Sequence, residues 1–231
     1  MNEPLVLMPG MMCDARLFAP QIAKFSSARS VMVASLTGDD TFSELAQSFL
    51  RHAPPRFALA GLSMGGIAAM EIIRQVPDRI TRLALLDTNP LADPAHKAKG
   101  RDEQMRRVAD GSLRQIMRDE IKPHYLAKSP NRDAILDLCM DMALALGPDV
   151  FITQSRAVRD RPDQCETLRN ITVPTLILCG AEDRLCPLER HQMMQGLIAD
   201  AKLVMIDKAG HLPTIEQPQS TNEALEQWLK M

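Results

Sequence analysis

The amino-acid sequence predicts an α/β fold with a mainly parallel sheet, on three observations. Short β-type runs alternate with helix-type runs along the chain. Most of the β-type runs are apolar at consecutive positions, as strands are when helices cover both faces of a parallel sheet. The alternation breaks once, between Asp87 and Thr175, where the chain reads as helix without a convincing strand.

The strand candidates are Leu5 to Met8, Ser30 to Ala34, Phe57 to Leu62, Leu83 to Leu86, Thr175 to Cys179 and Leu203 to Ile206. Two helix starts read as capping boxes, Thr41-Phe42-Ser43-Glu44 and Ser220-Thr221-Asn222-Glu223, in which hydroxyl and carboxylate each satisfy a free backbone N–H. Behind the first, Phe42, Leu45, Phe49 and Leu50 recur at helical spacing; behind the second, Leu225, Trp228 and Leu229 do the same. In the long interval the pattern predicts helices over Lys97 to Ala109, Ser112 to Ile121, Asp133 to Leu146 and Asp149 to Arg159, punctuated by Pro123, Pro130, Pro148 and Pro162. We therefore expect a core of residues 1–90 and 171–231. Residues 91–170 are expected to form a helical cap, inserted within the same domain over the C-terminal edge of the sheet.

The chain has 231 residues, 45% hydrophobic and 24% charged, the balance of a globular protein able to bury one large core. A net charge of -2 and the lack of any Lys/Arg block exclude nucleic acid as an expected partner. The densest basic stretch, Lys97 to Arg107, is broken by Asp102 and Glu103 and reads as a solvated helix face. Five cysteines, odd in number and without a CxxC pair, fit free thiols in a reducing compartment. The first residues, "MNEPLVLMPGMM", have no basic n-region, and Pro9 and Gly10 interrupt their apolar run. Neither a signal peptide nor a membrane span is expected, and a cytoplasmic location follows by default.

Candidate chemistry centres on "GLSMG", where Ser63 sits between a strand and a helix. A one-residue corner there forces strained backbone on the serine, and glycines two residues to either side relieve crowding. Its hydroxyl is then exposed above the sheet, near the positive end of the following helix. A serine needs a base, and histidine suits that role near neutral pH. His52 ends a helix, His96 and His124 fall in the cap, and His191 lies in a helix. His211 stands immediately past the last strand, where sites of open α/β sheets gather, and is the expected base. The base in turn needs a carboxylate to fix its tautomer. Asp183, after the preceding strand, is preferred; Asp87, at the end of the strand next after the serine, can reach the same geometry.

Acyl transfer also needs N–H donors for the developing oxyanion, each worth about 3 kcal/mol by mutational loss. Met64 follows the serine and offers its backbone N–H. The second donor is expected from "LMPGMMCD", where Gly10 lets the chain turn back, with Met11 N–H preferred and Met12 next. Nothing marks Cys13 as a reactive thiol. No histidine and cysteine spacing matches a metal site, so no metal ligands are expected.

These residues together resemble the α/β-hydrolase superfamily, over nearly the whole chain. "PGMMCDARLF" looks like its oxyanion loop, "GLSMGG" its nucleophile elbow, "VPTLILCGAEDRLCP" its acid loop and "AGHLPTIEQP" its histidine loop. Pro9-Gly10 stands where the family usually writes His-Gly, and Leu5 is already in the strand usually reached third. The resemblance thus implies a six-stranded, all-parallel core lacking the first two strands, with a helical cap. It also implies a serine hydrolase needing no cofactor and acting on a small-molecule substrate, with a carboxylesterase leading. A C–C bond hydrolase of a β-diketone or ring-fission product, a thioesterase, or a ligand receptor using the same pocket are the alternatives. Dehalogenases and epoxide hydrolases of this fold resemble the chain less, because their nucleophile is an aspartate where Ser63 stands. Neither the substrate nor the oligomeric state can be read from the sequence.

Overall fold

All six expected strands form. The computed structural model describes residues 3–231, with β1 Leu5–Met8, β2 Val31–Val33, β3 Phe57–Leu62, β4 Ile80–Leu86, β5 Thr175–Gly180 and β6 Lys202–Ile206. They pair in the order β2-β1-β3-β4-β5-β6, and every pairing is parallel. The edge strands β2 and β6 are short or partly exposed, whereas every residue of β1, β3 and β5 is buried.

Alternation of side chains along each strand divides the core into two layers. Val6, Met8, Leu59, Leu83, Leu85 and Ile177 face one side. There they meet the apolar stripes of α2 (Phe42–Leu50) and α3 (Met64–Gln75). Leu5, Leu7, Ala58, Ala60, Leu62, Ala84 and Leu86 face the other. They pack there with Phe25 of α1 (Ala19–Phe25) and with Leu225 and Trp228 of α10 (Pro218–Trp228). Each such fully buried side chain contributes roughly 1.5–3 kcal/mol of transfer free energy. Strand alternation, not length, therefore sets which helices can cover which face.

Between β4 and β5 the chain is helical: α4 Ala95–Ala109, α5 Leu113–Ile116, α6 Arg132–Arg159 and α7 Cys165–Arg169. Met12, Val108, Ile116, Met117, Ala143 and Phe151 form a third apolar cluster within this segment and beneath it. Further on, Ala157, Val158 and Leu168 join the layer on the α3 side of the sheet. Helices α8 (Leu188–Leu197) and α9 (Pro213–Glu216) complete the fold. Among the described residues, no helix is long and apolar enough to cross a membrane.

Local signals were met in part. Thr41 Oγ1 accepts from Glu44 N at 3.2 Å, one half of the expected capping box, whereas the Glu44 carboxylate accepts from the Thr41 hydroxyl at 2.8 Å. The second expected box does not form. Helix α10 begins earlier, with Pro218 at its first turn, so Ser220 and Thr221 lie inside it and the Thr221 hydroxyl donates to Pro213 O. Proline's fixed φ and missing N–H suit that first position and outcompete the hydroxyl signal downstream. The helix expected over Ser112 to Ile121 ends at Ile116 and continues as a π-helical turn through Ile121. The two helices expected either side of Pro148 run end to end as α6, kinked at Gly147, whose φ of 85° only glycine adopts without strain.

Candidate active site

Ser63 follows β3, near the middle of the sheet, and opens α3. Its backbone is at φ 53° and ψ -116°, a strained conformation for a residue with a side chain, of the order of 1–3 kcal/mol. Surrounding structure holds it there. Ser63 N donates to Leu86 O at 2.9 Å, and the Thr88 hydroxyl donates to Ser63 O at 2.7 Å. A Cβ on Gly61 would lie 2.2 Å from Gly65 O, and one on Gly65 would lie 2.0 Å from Met8 O. The glycines flanking the serine therefore permit a backbone-on-backbone approach that no larger residue allows.

The side chains then converge. Ser63 Oγ lies 2.8 Å from His211 Nε2, and His211 Nδ1 lies 2.9 Å from Asp183 Oδ2. The other oxygen of Asp183 accepts from Leu185 N at 2.8 Å and Cys186 N at 3.1 Å. Burial works against the Asp183 carboxylate, but His211 and these two N–H groups outweigh it and hold it below the ordinary carboxylate range. Asp183, not Asp87, is thus the carboxylate in contact with His211.

Asp87 lies behind it. It is fully buried, at φ 43°, and Oδ1 accepts from Gly180 N at 2.8 Å. Burial, and after it the negative charge of Asp183, push its carboxyl far above the usual range. Its second oxygen, Oδ2, has no hydrogen-bond partner among the described residues. Of the other histidines, His52, His96 and His124 are exposed, and His191 is buried in α8 beside Pro187 O.

The oxyanion candidates differ in their freedom. Met64 is the first residue of α3, so its N–H has no intrahelical acceptor. Among the described residues Met11 N–H has no acceptor either. Met12 N–H is already committed: it donates to Gln154 Oε1 at 2.8 Å. That bond removes Met12 from the choice and leaves Met11. Met12 itself is left-handed at φ 56° and buried.

Four residues that the sequence pattern did not single out organise these loops. Gln154 of α6 pins the β1 loop through Met12 and donates from Nε2 to Leu36 O at 2.9 Å. Tyr125 accepts from His211 N at 2.6 Å, and its ring stacks on the imidazole at a centroid distance of 6.0 Å. Glu216 gathers Gly210 N, Leu212 N and Ala127 N within 3.0 Å, fixing the histidine loop on both sides. Thr88 holds the serine corner. Gln154, Tyr125 and Thr88 act across long stretches of chain and leave no local motif, whereas Glu216 stands within the quoted histidine-loop segment and braces it from inside.

A cavity of about 330 Å³ opens over Ser63 and His211, walled by the strand-end loops below and by α4, Ile121, Tyr125 and Arg161 above. The charged stretch Lys97 to Arg107 is largely exposed, as expected of a solvated face, yet the exposed Lys97 and the half-buried Arg101 also line this cavity. The helical segment turns that side of α4 toward the strand ends, which one-dimensional charge spacing does not reveal. Cys13 also lines the cavity, but burial drives its thiol well above the ordinary value. Two trios, Asp87–Cys179–His191 and Asp183–Cys186–His211, bring donor atoms within 4.8 Å. A cation in the second trio would compete for the atoms that join His211 to Asp183.

A serine at a strained strand-to-helix corner, bonded to a histidine and through it to a buried carboxylate, all at the carboxyl ends of a parallel sheet, is a family signature. The model of the alpha/beta hydrolase family matches residues 5–224. The chain belongs to the alpha/beta hydrolase family. It is 24% identical to a pimeloyl-[acyl-carrier protein] methyl ester esterase of Pectobacterium carotovorum, over 96% of this chain and 92% of that protein. It is 27% identical to a 2-succinyl-6-hydroxy-2,4-cyclohexadiene-1-carboxylate synthase of Serratia proteamaculans, over 87% of this chain and 78% of that one. Among solved structures, a thermophilic esterase from Thermogutta terrifontis superposes with a TM-score of 0.86 at 26% identity, covering 100% of this chain and 90% of its own. An enol-lactonase from Burkholderia xenovorans, at 20% identity and a TM-score of 0.88 over 100% of this chain and 92% of its own, shares the fold.

Proposed function

We propose that this family member is a serine hydrolase, a carboxylesterase that cleaves a small or medium ester through an acyl-enzyme. The observation that carries the reading is the continuous hydrogen-bonded chain from Ser63 Oγ through His211 to Asp183. In this reading His211 Nε2 takes the hydroxyl proton as Ser63 Oγ attacks the ester carbonyl. Asp183, kept ionised, holds the tautomer and stabilises the imidazolium. The N–H groups of Met11 and Met64 receive the oxyanion, and His211 returns its proton to the departing alcohol. Water, deprotonated by the same nitrogen, then releases the acid. Every step uses protein groups and water alone.

Residues 91–170 act as the cap, which supports the pocket in two ways. Tyr125 braces the histidine and Gln154 braces the oxyanion loop. The five free thiols fit a reducing, cytoplasmic setting. The similarity to a methyl ester esterase supports ester chemistry.

Labelling with a fluorophosphonate and turnover of a p-nitrophenyl ester test the assignment. Both should occur in the natural protein and disappear in Ser63→Ala, with its thermal midpoint retained. Labelling or turnover that survives Ser63→Ala rejects Ser63 as nucleophile. Ligand-induced stabilisation without any turnover identifies a receptor instead.

A further inference from the structure

The upper wall of the cavity is electrostatically unbalanced. Asp93 has its side chain 1% exposed and meets two guanidinium groups: Arg101 Nε at 2.6 Å on Oδ2 and Arg161 Nη2 at 3.0 Å on Oδ1. Arg161 is further held by Leu91 O at 2.8 Å and Val158 O at 3.2 Å, so its head is fixed. Arg101 engages Asp93 through Nε alone, and among the described residues its two Nη groups have no acceptor. Lys97, one turn before Arg101 on the same helix, has no ion-pair partner among the described residues. Glu120, the other carboxylate in the wall, is already matched by Arg107 at 2.6 Å and Gln104 at 3.0 Å. Three cationic heads therefore share one unmatched carboxylate, Asp93, leaving two positive charges without a counter-ion in the lining.

Holding such a surplus is costly at Arg161, whose side chain is 6% exposed, while Lys97 in the same lining stays exposed to solvent. Burial lowers the affinity of Arg161 for its proton, Arg101 adds to that, and Asp93 opposes it. The surplus also faces the reacting groups. Arg101 acts on the Tyr125 hydroxyl, whose ring stacks on His211, and Lys97 and Arg161 act on the Cys186 thiol beside Asp183. An anion arriving with the substrate supplies what the wall lacks, and guanidinium is the group best shaped for a carboxylate.

We propose that the substrate is a carboxylate-bearing ester, its free carboxylate seated between Lys97 and Arg101 while its ester carbonyl lies at Ser63. The inference rests on the serine-hydrolase reading for the ester and on the charge surplus for the anion, and the two are separable. The carboxylate can belong to the acyl part, as in a monoester of a short dicarboxylic acid, or to the alcohol part, as in an acylated hydroxy acid.

The first measurement compares kcat/KM for p-nitrophenyl hydrogen glutarate and neutral p-nitrophenyl pentanoate. A second arm follows the acetyl ester of 4-hydroxybutyrate against butyl acetate, and distinguishes an alcohol-side carboxylate. In at least one arm the anionic ester should be preferred, on the order of tenfold to a hundredfold for charge-assisted contacts, and the preference should narrow as salt rises. In Lys97→Gln/Arg101→Gln the ratio between the two esters should fall to about one. Arg106→Gln, on the exposed side of α4, should keep the natural ratio. Free glutarate should raise the thermal midpoint of the natural protein and not that of the double variant. Ser63-dependent turnover with no anionic preference in either arm overturns the carboxylate site and leaves the hydrolase reading standing. Glutarate stabilisation that depends on Lys97 and Arg101, without turnover of any ester, supports the anion site and overturns the hydrolase reading.

Discussion

Replacing Gln154 with methionine separates what the cap does for stability from what it does for catalysis. Gln154 is 1% exposed, accepts Met12 N–H at 2.8 Å and donates to Leu36 O at 2.9 Å. Methionine keeps nearly the same volume, so little cavity cost arises. It does strand one buried N–H and one buried carbonyl, each costing about 1–3 kcal/mol. The expected loss is about 2–6 kcal/mol, lower if water enters, or roughly 4–24 °C in thermal midpoint for a chain of this size. The left-handed Met12, no longer held by that bond, is expected to relax and to move its neighbour Met11, whose N–H is the proposed second oxyanion donor. Loss of one oxyanion donor lowers kcat by at most about a hundredfold to a thousandfold, with KM changed far less. Urea titration and p-nitrophenyl ester kinetics, measured where the variant is fully folded, read both effects. A destabilised variant with unchanged kcat would refute the reasoning that Gln154 positions the oxyanion loop for catalysis.

Two further perturbations address the serine corner and the buried acid. Gly65→Ala places a methyl group 2.0 Å from Met8 O and 2.7 Å from Pro9 O, both rigid backbone, so little soluble, folded protein is expected; normal expression with natural activity would contradict the close approach. Asp87→Asn should stabilise the protein at neutral pH and lose that advantage near pH 4. The folded state keeps the Asp87 proton while the unfolded chain releases it above about pH 4, so the natural protein loses stability as pH rises from there toward the raised folded value. Asparagine has no proton to release and keeps an acceptor for Gly180 N. Equal pH slopes of the urea midpoint in the two proteins would rule out a protonated Asp87.

Residue order alone carried much of this protein. Runs such as Phe57 to Leu62 and Thr175 to Cys179 are legible because strands buried on both faces need unbroken apolar sequence. Ser63, Asp183 and His211 are legible because each stands in the segment after a strand, and the carboxyl ends of parallel strands lie side by side whatever the distance along the chain. Sequence position favoured Asp183 over Asp87 without deciding between them. Both end neighbouring strands, and only the three-dimensional arrangement shows that Asp183 meets His211 while burial pushes the carboxyl of Asp87 upward behind it. Met11 and Met12 likewise differ only through Gln154, which lies far along the chain. Lys97 and Arg101 show the same limit from the other side: mixed-sign charge on a helix looks solvated until packing decides which side faces a cavity. Strand positions along the chain follow from local pattern, because an apolar run long enough for a strand is a property of neighbouring residues. Protonation, donor availability and pocket charge were decided only by the tertiary structure, because they depend on groups that chain-distant segments bring together.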